Sequence, residues 1–242
     1  MKQYEQVVRI MEENGGYATL GYLNQHTDVS SWKTKTPFAT IRRIVQDPRF
    51  FFKIKPGLWA LKSHREIVLK KFDLVEKDKD SENIFNHTYY QGLIAEIGNL
   101  KGRTTFIPNQ DKNRMFLDRP LGLVASLREI YQFTYSEIVK RAKTVDVIWF
   151  NERKFPHAFF EIEHSTEFHN SLAKYHDLQD FNSQFYIVGP IQKKRRYEEI
   201  INRNLYKTMR DKIKLQYWDY DFVSNLHTKT YEYTEIQKEI EL

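Results

Sequence analysis

The sequence predicts an α/β protein in two parts, with three helices and a β-hairpin at the N-terminus and an α/β core with a mixed sheet after them. Its 242 residues suit one or two domains at roughly 100–200 residues each. With 40% hydrophobic and 29% charged residues, the chain is too apolar for disorder and too polar for a membrane span. The apolar pattern also changes after residue 87, where helices and strands begin to alternate.

The N-terminal elements follow from apolar periodicity and from turn residues. Apolar side chains recur about every 3.6 residues in the first segment, which ends at Asn14-Gly15-Gly16. Thr36 and Pro37 supply the cap and the first residue of the third helix, and Lys55-Pro56-Gly57 separates two apolar runs. We expect helices over 2–13, 20–25 and 37–46, a polar loop over 27–36, and strands over 50–54 and 58–61. Together they predict a winged helix-turn-helix domain over 1–62.

Positive charge is concentrated in this first part. The whole chain carries 38 Lys and Arg against 32 Asp and Glu, a net charge of +6. Residues 1–62 hold ten of those basic residues and five of the acidic ones, so they carry +5 of that excess. This bias favours double-stranded DNA as a partner of the N-terminal domain.

Two segments of this domain are similar to the HARE helix-turn-helix family. They are GYATLGYLNQHT and TPFATIRRIVQDPRFFFKIKPGLWAL. The resemblance implies that the third helix enters the major groove and that the hairpin wing lies near phosphates. The DNA-contacting residues would then be Lys35, Thr40, Arg42, Arg43, Lys53 and Lys55. The alternative is that Arg42 and Arg43 form a solvated helix face and that the module binds protein.

A charged segment separates the two parts, and residues 63–86 are expected to be a linker. The second domain is predicted over 87–242. Its expected helices cover 89–99, 122–131, 135–142, 170–180 and the basic stretch 193–210. Its expected strands cover 103–108, 145–150, 158–163, 184–188 and 214–218, and the second and third of these form a hairpin around NERKFPH.

Three acidic residues lie on this central hairpin. Asp146 is expected in the middle of one strand, and Glu161 and Glu163 lie two residues apart at the end of the next. Residues i and i+2 of a strand point to the same face, so the three carboxylates are expected to converge. Hard oxygen ligands select Mg2+, with Mn2+ as a substitute. The alternative is a solvated strand end, with Asp146 paired to Arg141 or Lys143.

This arrangement resembles the PD-(D/E)XK nuclease superfamily over about residues 88–220, which implies a restriction-endonuclease-like core. Asp146 matches the first acid, Glu161 the second, and Glu163 the position usually held by lysine. The resemblance implies that these residues bind the metal, that Glu163 is a ligand or base, and that Glu96 adds a further acid. Lys174 would supply the displaced positive charge.

Other kinds of site are disfavoured by the sequence. There are no cysteines, which excludes thiolate nucleophiles and Cys-based zinc sites. His164, His169 and His176 lack the i, i+4 spacing of HExxH zinc sites. A phosphate-cradling glycine loop is also missing, so no nucleotide cofactor is expected. The chain has neither a signal peptide nor a stretch of ~18 apolar residues, so we expect an intracellular protein of a prokaryote or phage.

The sequence therefore predicts a Mg2+-dependent endodeoxyribonuclease of the type II restriction class that acts on duplex DNA. A homodimer is expected, because many duplex cutters use one subunit for each strand. Recognition of a modified base is a further possibility. The alternative is a DNA-binding regulatory or structural protein with an inactive nuclease-like domain.

Overall fold

The computed structural model describes residues 2–75, 79–165 and 167–240. The chain divides into two compact units, one formed by residues 1–82 with 224–242 and the other by residues 83–223. Residues 224–242 therefore group with the N-terminal part, whereas the sequence analysis assigned them to the second domain.

The first unit contains short helices and a small antiparallel sheet. Its elements up to residue 75 are α1 (Gln3–Glu13), β1 (Tyr17–Thr19), α2 (Leu20–His26), α3 (Pro37–Val45), β2 (Phe51–Lys55), β3 (Leu58–Leu61) and α4 (Arg65–Lys71). The strand order is β1-β3-β2. Gly57 has a φ of 75° at the β2–β3 turn, a conformation that glycine adopts at little cost. Helix and hairpin positions agree with the sequence prediction to within a few residues.

The core of this unit is formed by the apolar faces of its three N-terminal helices. Val7 and Met11 of α1 pack with Leu23 of α2 and with Ile41 and Val45 of α3, and all five side chains are fully buried. Such complete burial stabilises each side chain by roughly 1.5–3 kcal/mol relative to exposure. The helical periodicity in the sequence therefore reports the core of this unit.

The second unit is built around a five-stranded mixed sheet. The remaining elements of the chain are α5 (Lys79–Leu100), β4 (Thr104–Phe106), β5 (Met115–Phe116), β6 (Arg119–Pro120), α6 (Leu121–Val124), α7 (Ser136–Ala142), β7 (Val147–Phe150), β8 (Pro156–Ile162), α8 (His169–Asp177), β9 (Gln184–Gly189), α9 (Lys194–Ile201), α10 (Lys207–Lys212), β10 (Lys214–Asp219) and α11 (Tyr220–Ile240). The strand order is β10-β9-β8-β7-β4. Strands β8, β9 and β10 run parallel, whereas β7 is antiparallel to β4 and β8. The predicted mixed sheet and its central hairpin are confirmed.

The two faces of this sheet pack against different helices. Trp149 donates its indole N–H to the carbonyl of Ile94 in α5 at 3.0 Å. The neighbouring residue Ile148 instead belongs to the core cluster that contains Leu172 and Tyr175 of α8. Because successive side chains of a strand point to opposite faces, α5 and α8 lie on opposite sides of the sheet. Both helices can therefore supply side chains at the sheet's end.

The predicted helix over 122–131 is wrong, because α6 ends at Val124. The segment after it contacts the edge strand β4 instead. The Thr105 amide donates to the Ser126 hydroxyl at 2.7 Å, and the Leu127 amide donates to the Thr105 carbonyl at 2.9 Å. Hydrogen-bonding to an otherwise open strand edge offsets the loss of helical bonds.

The single basic helix predicted over 193–210 is also wrong. The structure breaks it after Ile201 and resumes with α10 at Lys207. The Arg210 side chain donates to the Ile201 carbonyl at 2.8 Å and to the Asn202 side chain at 3.0 Å. Two short helices allow Ile200 and Met209 to enter the same core, which a straight helix of this length would not.

Helices α5 and α11 extend beyond the sequence prediction. Helix α5 begins at Lys79, within the segment predicted as a linker, and α4 also lies in that segment. Helix α11 was not predicted at all, although Asp219 accepts a bond from the Phe222 amide at 2.8 Å, as a helix cap does. Among the described residues, no helix is long and apolar enough to span a membrane.

The C-terminal part of α11 packs on the helices and hairpin of the first unit. Asn24 of α2 donates to Glu232 at 3.2 Å. Ser224 donates its hydroxyl to the Pro56 carbonyl, in the β2–β3 turn, at 2.8 Å. A Cβ added to Gly21 would lie 2.7 Å from the ring of Tyr231. The segment 224–232 is therefore an integral part of the first unit.

Candidate active site

The strand register places Asp146 opposite Glu161 at one end of the large sheet. Val147 pairs with Phe160 in the antiparallel β7–β8 ladder, so the next step of the register sets Asp146 against Glu161. Directly opposed residues of antiparallel strands point to the same face. Asp146 lies immediately before β7 rather than in the middle of the strand, which corrects the sequence prediction. Both carboxylates are nonetheless buried, at 7% and 3% exposure.

A side chain of helix α8 contacts both Glu161 and Glu163. The Ser171 hydroxyl contacts Glu161 Oε2 at 3.1 Å and also contacts the Glu163 carboxylate. Lys174 Nζ, one turn further along α8, contacts the two oxygens of Glu161 at 2.9 and 2.8 Å and the Thr144 carbonyl at 2.7 Å. The alternative of a solvated strand end therefore does not describe Glu161.

Asp146 is held by groups from β8 and α5. Its Oδ2 accepts the backbone N–H of Ile162 at 2.7 Å, and its Oδ1 lies 3.5 Å from Nε2 of His87. Its backbone carbonyl accepts from Gln91 at 3.2 Å. Arg141, a partner considered for Asp146 in the sequence analysis, instead contacts Asp177 at 2.6 Å.

The carboxylates differ in their affinity for protons. Burial, followed by the charge of Asp146, raises the pKa of Glu161 well above its usual value, despite the opposing charge of Lys174. Burial also raises the pKa of Glu163. For Asp146, burial acts in the same direction but is outweighed by the charge and hydrogen bonds of His87 and the Ile162 N–H, so its pKa is lowered. Burial therefore favours the protonated form of Glu161 and Glu163, whereas the partners of Asp146 favour its charged form.

The donor set fits a hard divalent cation. Asp146, Glu161 and Glu163 offer carboxylate oxygens, the ligands that Mg2+ prefers, and a bound cation would favour the charged form of Glu161 against its burial and the charge of Asp146, which raise its pKa. In the described part of the chain, however, a different set of three residues brings potential ligand atoms within 4.8 Å of one another. This set is His87, Asp111 and Asp146. Glu161 and Glu163 are not in that group, and their oxygens contact Lys174 and Ser171.

Glu96 does not belong to this group of potential ligands either. Its carboxylate forms an ion pair with Arg119 of β6, and it lies nine residues along α5 from His87. The histidines considered for zinc also have separate partners. His164 contacts Tyr220, His169 contacts Tyr206, and His176 lies 3.8 Å from Asp177.

The sequence analysis missed His87, Gln91, Asp111 and Ser171. His87 and Gln91 are four residues apart on α5 and so share a face. Asp111 lies in the polar turn after β4, where its amide donates to the Pro108 carbonyl at 3.0 Å. The i, i+4 pair was visible in the sequence, but its contact with Asp146, 55 residues from Gln91, depends on the tertiary fold.

The residues predicted to contact DNA differ in their exposure. Lys35, Arg43 and Lys53 have exposed side chains. Thr40 is only 8% exposed, and its hydroxyl donates to the Thr36 carbonyl at 3.2 Å. Its low exposure and this internal hydrogen bond leave Thr40 little surface for a base edge, and a DNA contact by Thr40 stays an untested prediction.

The two other predicted contacts have protein partners. Arg42 donates to Asn225 of α11 at 3.3 Å, and Lys55 forms an ion pair with Glu82. Arg43 lines a pocket of about 410 Å3 together with Lys2, Arg49 and the aromatic residues Tyr4 and Phe50, whose rings stack at 5.2 Å. Of the exposed predicted contacts, Lys35 therefore lies in the loop before α3, Arg43 on α3 beside this pocket, and Lys53 on the wing.

Comparison with known proteins gives the family of most of the chain. The family described as the Type II restriction enzyme NmeDI C-terminal domain matches residues 68–240. The Type II restriction enzyme NmeDI of Neisseria meningitidis serogroup C is 26% identical over a 152-residue alignment, and the match covers 59% of this chain and 42% of that protein. The chain thus spans less than half of this relative's length, and no solved structure matches it. From the match over residues 68–240, the chain belongs to the Type II restriction enzyme NmeDI C-terminal domain family.

Proposed function

We propose that this protein is a Mg2+-dependent type II restriction endonuclease that hydrolyses phosphodiester bonds of double-stranded DNA. The observation that carries the proposal is the buried pair Asp146–Glu161, set opposite each other by the hairpin register, with Lys174 beside it. Family membership supports the reaction class. The mixed sheet is consistent with a PD-(D/E)XK core, and the first unit with a winged helix.

Each residue of the site has a separate role in this proposal. Asp146, Glu161 and Glu163 would hold Mg2+, or Mn2+ in its place. A bound divalent ion supplies positive charge to the scissile phosphate and lowers the pKa of water. Glu163, whose pKa is raised by burial, is suited to accept the proton of the attacking water at a carboxylate oxygen. In the PD-(D/E)XK superfamily, a lysine usually occupies the position that Glu163 holds here. Lys174, whose Nζ contacts Glu161, would supply that positive charge instead.

Two residues that the sequence analysis assigned to the sites are not part of this proposal. Glu96 is left out of the ligand set, because its partner is Arg119. Thr40 is left out of the DNA contacts, because it is buried. Lys35, Arg43 and Lys53 remain as phosphate or base contacts, and Arg42 and Lys55 would have to leave Asn225 and Glu82 to join them.

The test compares plasmid cleavage in Mg2+ with DNA binding measured without metal. Asp146→Asn and Glu161→Gln should each lower the cleavage rate at least ~100-fold, while the affinity for DNA stays within a few-fold. Glu152→Gln is the matched control, because Glu152 is an exposed acid in the β7–β8 turn. Undiminished cleavage by both site variants would refute the assignment.

A second candidate function is a DNA-binding protein with an inactive nuclease-like domain. The observation that favours it is that Lys174 contacts both oxygens of Glu161, which satisfies that carboxylate without a metal. DNA cleavage by the wild type that is lost in Asp146→Asn excludes this candidate. Absence of cleavage, together with a thermal midpoint that Mg2+ does not raise, supports it.

A further inference from the structure

A second concentration of positive charge lies in the second unit, between β9 and β10. Residues 193–214 contain nine Lys and Arg against three Asp and Glu, a net charge of +6. Residues 1–62 carry +5 and the whole chain +6, so the rest of the chain is net −5. The total charge therefore hides a basic segment that is as strongly charged as residues 1–62.

The strand directions place the start of this segment at the active-site end of the large sheet. Strands β8 and β9 run parallel, and the Glu163 amide at the end of β8 donates to the Val188 carbonyl of β9 at 2.8 Å. Strand β9 ends at Gly189. Lys193 follows four residues later, a length of chain that spans at most about 14 Å. The basic segment thus begins close to the strand end that carries Glu163.

Aromatic contacts hold the start of α9 on the α8 side of the sheet. The ring of Tyr197, in α9, lies 5.7 Å from that of Phe168 and 5.2 Å from that of Tyr217 in β10. Tyr217 also donates its hydroxyl to the Pro190 carbonyl at 2.8 Å. Phe168 immediately precedes α8, the helix whose side chains contact Glu161. The first turn of α9 therefore has a fixed position on the same face as these acids.

Four consecutive cations open the segment, and we call residues 193–196 the basic turn. Lys194, Arg195 and Arg196 are exposed and Lys193 is partly exposed. Arg195 and Arg196 share one acid, Glu199, at 3.4 Å. The first turn of α9 contains no acidic residue, and positive charge at that end of a helix opposes the helix dipole. The basic turn is thus unfavourable for the helix that carries it, which indicates a partner of negative charge outside the chain.

We propose that the basic turn binds phosphates of the duplex DNA backbone and holds the DNA beside the active-site acids. The proposal rests on the function proposed above, and it adds a DNA contact in the second unit to those assigned to residues 1–62. Lysine and arginine contacts to phosphate position a protein on DNA but carry no sequence information. They also offset the repulsion between the backbone and the acids of the site. The basic turn therefore positions DNA and leaves sequence recognition to other residues.

The competing explanation is a solvated helix start, in which the four side chains contact only water. Exposed lysines and arginines are common on protein surfaces. This explanation predicts that removing two of these charges has the same effect as removing two charges elsewhere in the segment. Lys212 and Lys214 allow that comparison, because both are exposed. Lys214 is paired with Gln184 at the start of β9, at the opposite end of the sheet.

The experiment measures binding of a DNA duplex to the full chain without metal, by fluorescence anisotropy at several salt concentrations. Lys193→Gln combined with Lys194→Gln should lower the slope of log affinity against log salt by about 2. The same double variant should weaken binding about tenfold or more at ~0.1 M salt. The matched control, Lys212→Gln combined with Lys214→Gln, removes the same charge and should keep the wild-type slope. Circular dichroism checks that each variant is folded.

A second measurement needs no variant and keeps the test decisive if the double variant does not fold. The wild type is acetylated on lysine with and without the duplex, and mass spectrometry gives the extent of modification at each lysine. Bound DNA should slow the acetylation of Lys193 and Lys194 several-fold, because phosphates cover them. Lys212 and Lys214 should be acetylated at the same rate in both samples.

Equal salt slopes for the two double variants would overturn the proposal. Acetylation of Lys193 and Lys194 that is unchanged by DNA would overturn it as well. Cleavage in Mg2+ is assayed separately. Cleavage without either effect removes only the basic turn from the DNA contacts, whereas both effects without cleavage retain the basic turn and remove the nuclease function.

Discussion

Lys174 and Glu161 form an ion pair with little access to solvent. Their side chains are 19% and 4% exposed, and Lys174 Nζ contacts both carboxylate oxygens within 2.9 Å. An ion pair of this kind contributes little net stability relative to an apolar pair, but removal of one partner leaves an uncompensated charge. The energetic role of Lys174 should therefore appear most clearly when Glu161 remains.

Lys174→Met should lower the free energy of unfolding by roughly 3 kcal/mol in EDTA at about neutral pH or above. The loss should grow with pH. Glu161 has a folded-state pKa raised above 4.5, so its contribution to stability is present below that value and is lost as pH rises and the buried group ionises. Urea denaturation at several pH values measures this dependence.

The double variant Lys174→Met with Glu161→Gln should recover most of the lost free energy, because no buried charge then remains. Lys140→Met is the control for a lysine-to-methionine change on an exposed helical position of α7. Equal losses in the single and double variants would show that Lys174 does not act through Glu161.

Helix α5 packs closely on strand β5 through Gly92 and on strands β4 and β7 through Gly98. A Cβ added to Gly92 would lie 2.1 Å from Cδ2 of Phe116, and one added to Gly98 would lie 2.6 Å from Thr105 and Trp149 side-chain atoms. Phe116 is itself buried, at 1% exposure, and has little room to shift. Close helix packing, rather than a turn, accounts for these glycines.

Gly92→Ala should therefore destabilise the protein by about 1–3 kcal/mol. Helix propensity alone predicts the opposite sign, since alanine is favoured over glycine in a helix by roughly 0.5–1 kcal/mol. Urea denaturation distinguishes the two. Gly102→Asn is the control, because Gly102 has a φ of 67° and open space around it, and asparagine tolerates that conformation. A rise in stability for Gly92→Ala would contradict the described packing.

Elements with strong local signals were predictable from the sequence, whereas elements fixed by distant contacts were not. The β7–β8 hairpin and the spacing of Glu161 and Glu163 follow from alternation within one segment. The break in the helix after Ile201 depends on a bond from Arg210. The positions of His87 and Asp111 beside Asp146 depend on α5 crossing the sheet, which no local pattern encodes.

At the scale of the whole molecule, positive charge is unevenly placed along the chain. Residues 1–62 carry a net +5 of the total +6, and Lys35, Arg43 and Lys53 are exposed there. Such a distribution predicts that DNA affinity depends on released counterions and so on salt. A homodimer, as expected from the sequence, would double the number of these contacts.

Arg43→Gln and Lys53→Gln should each weaken DNA binding and lower the slope of log affinity against log salt by about 1. Fluorescence anisotropy with a duplex at several salt concentrations measures both quantities. Lys140→Gln, an exposed position on α7, should leave the slope unchanged. If all three variants have the wild-type slope, the proposed DNA-contacting surface is wrong.

The contact between Asn24 and Glu232 joins residues 208 positions apart, and it has a consequence for synthesis on the ribosome. Helix α2 and the β2–β3 turn precede the second unit in the chain, whereas the α11 residues that pack on them are translated only after the whole sheet of that unit. Until then, the α2 surface around Gly21 and the β2–β3 turn stay uncovered in the nascent chain. These elements therefore complete their packing only after the sheet of the second unit has been translated.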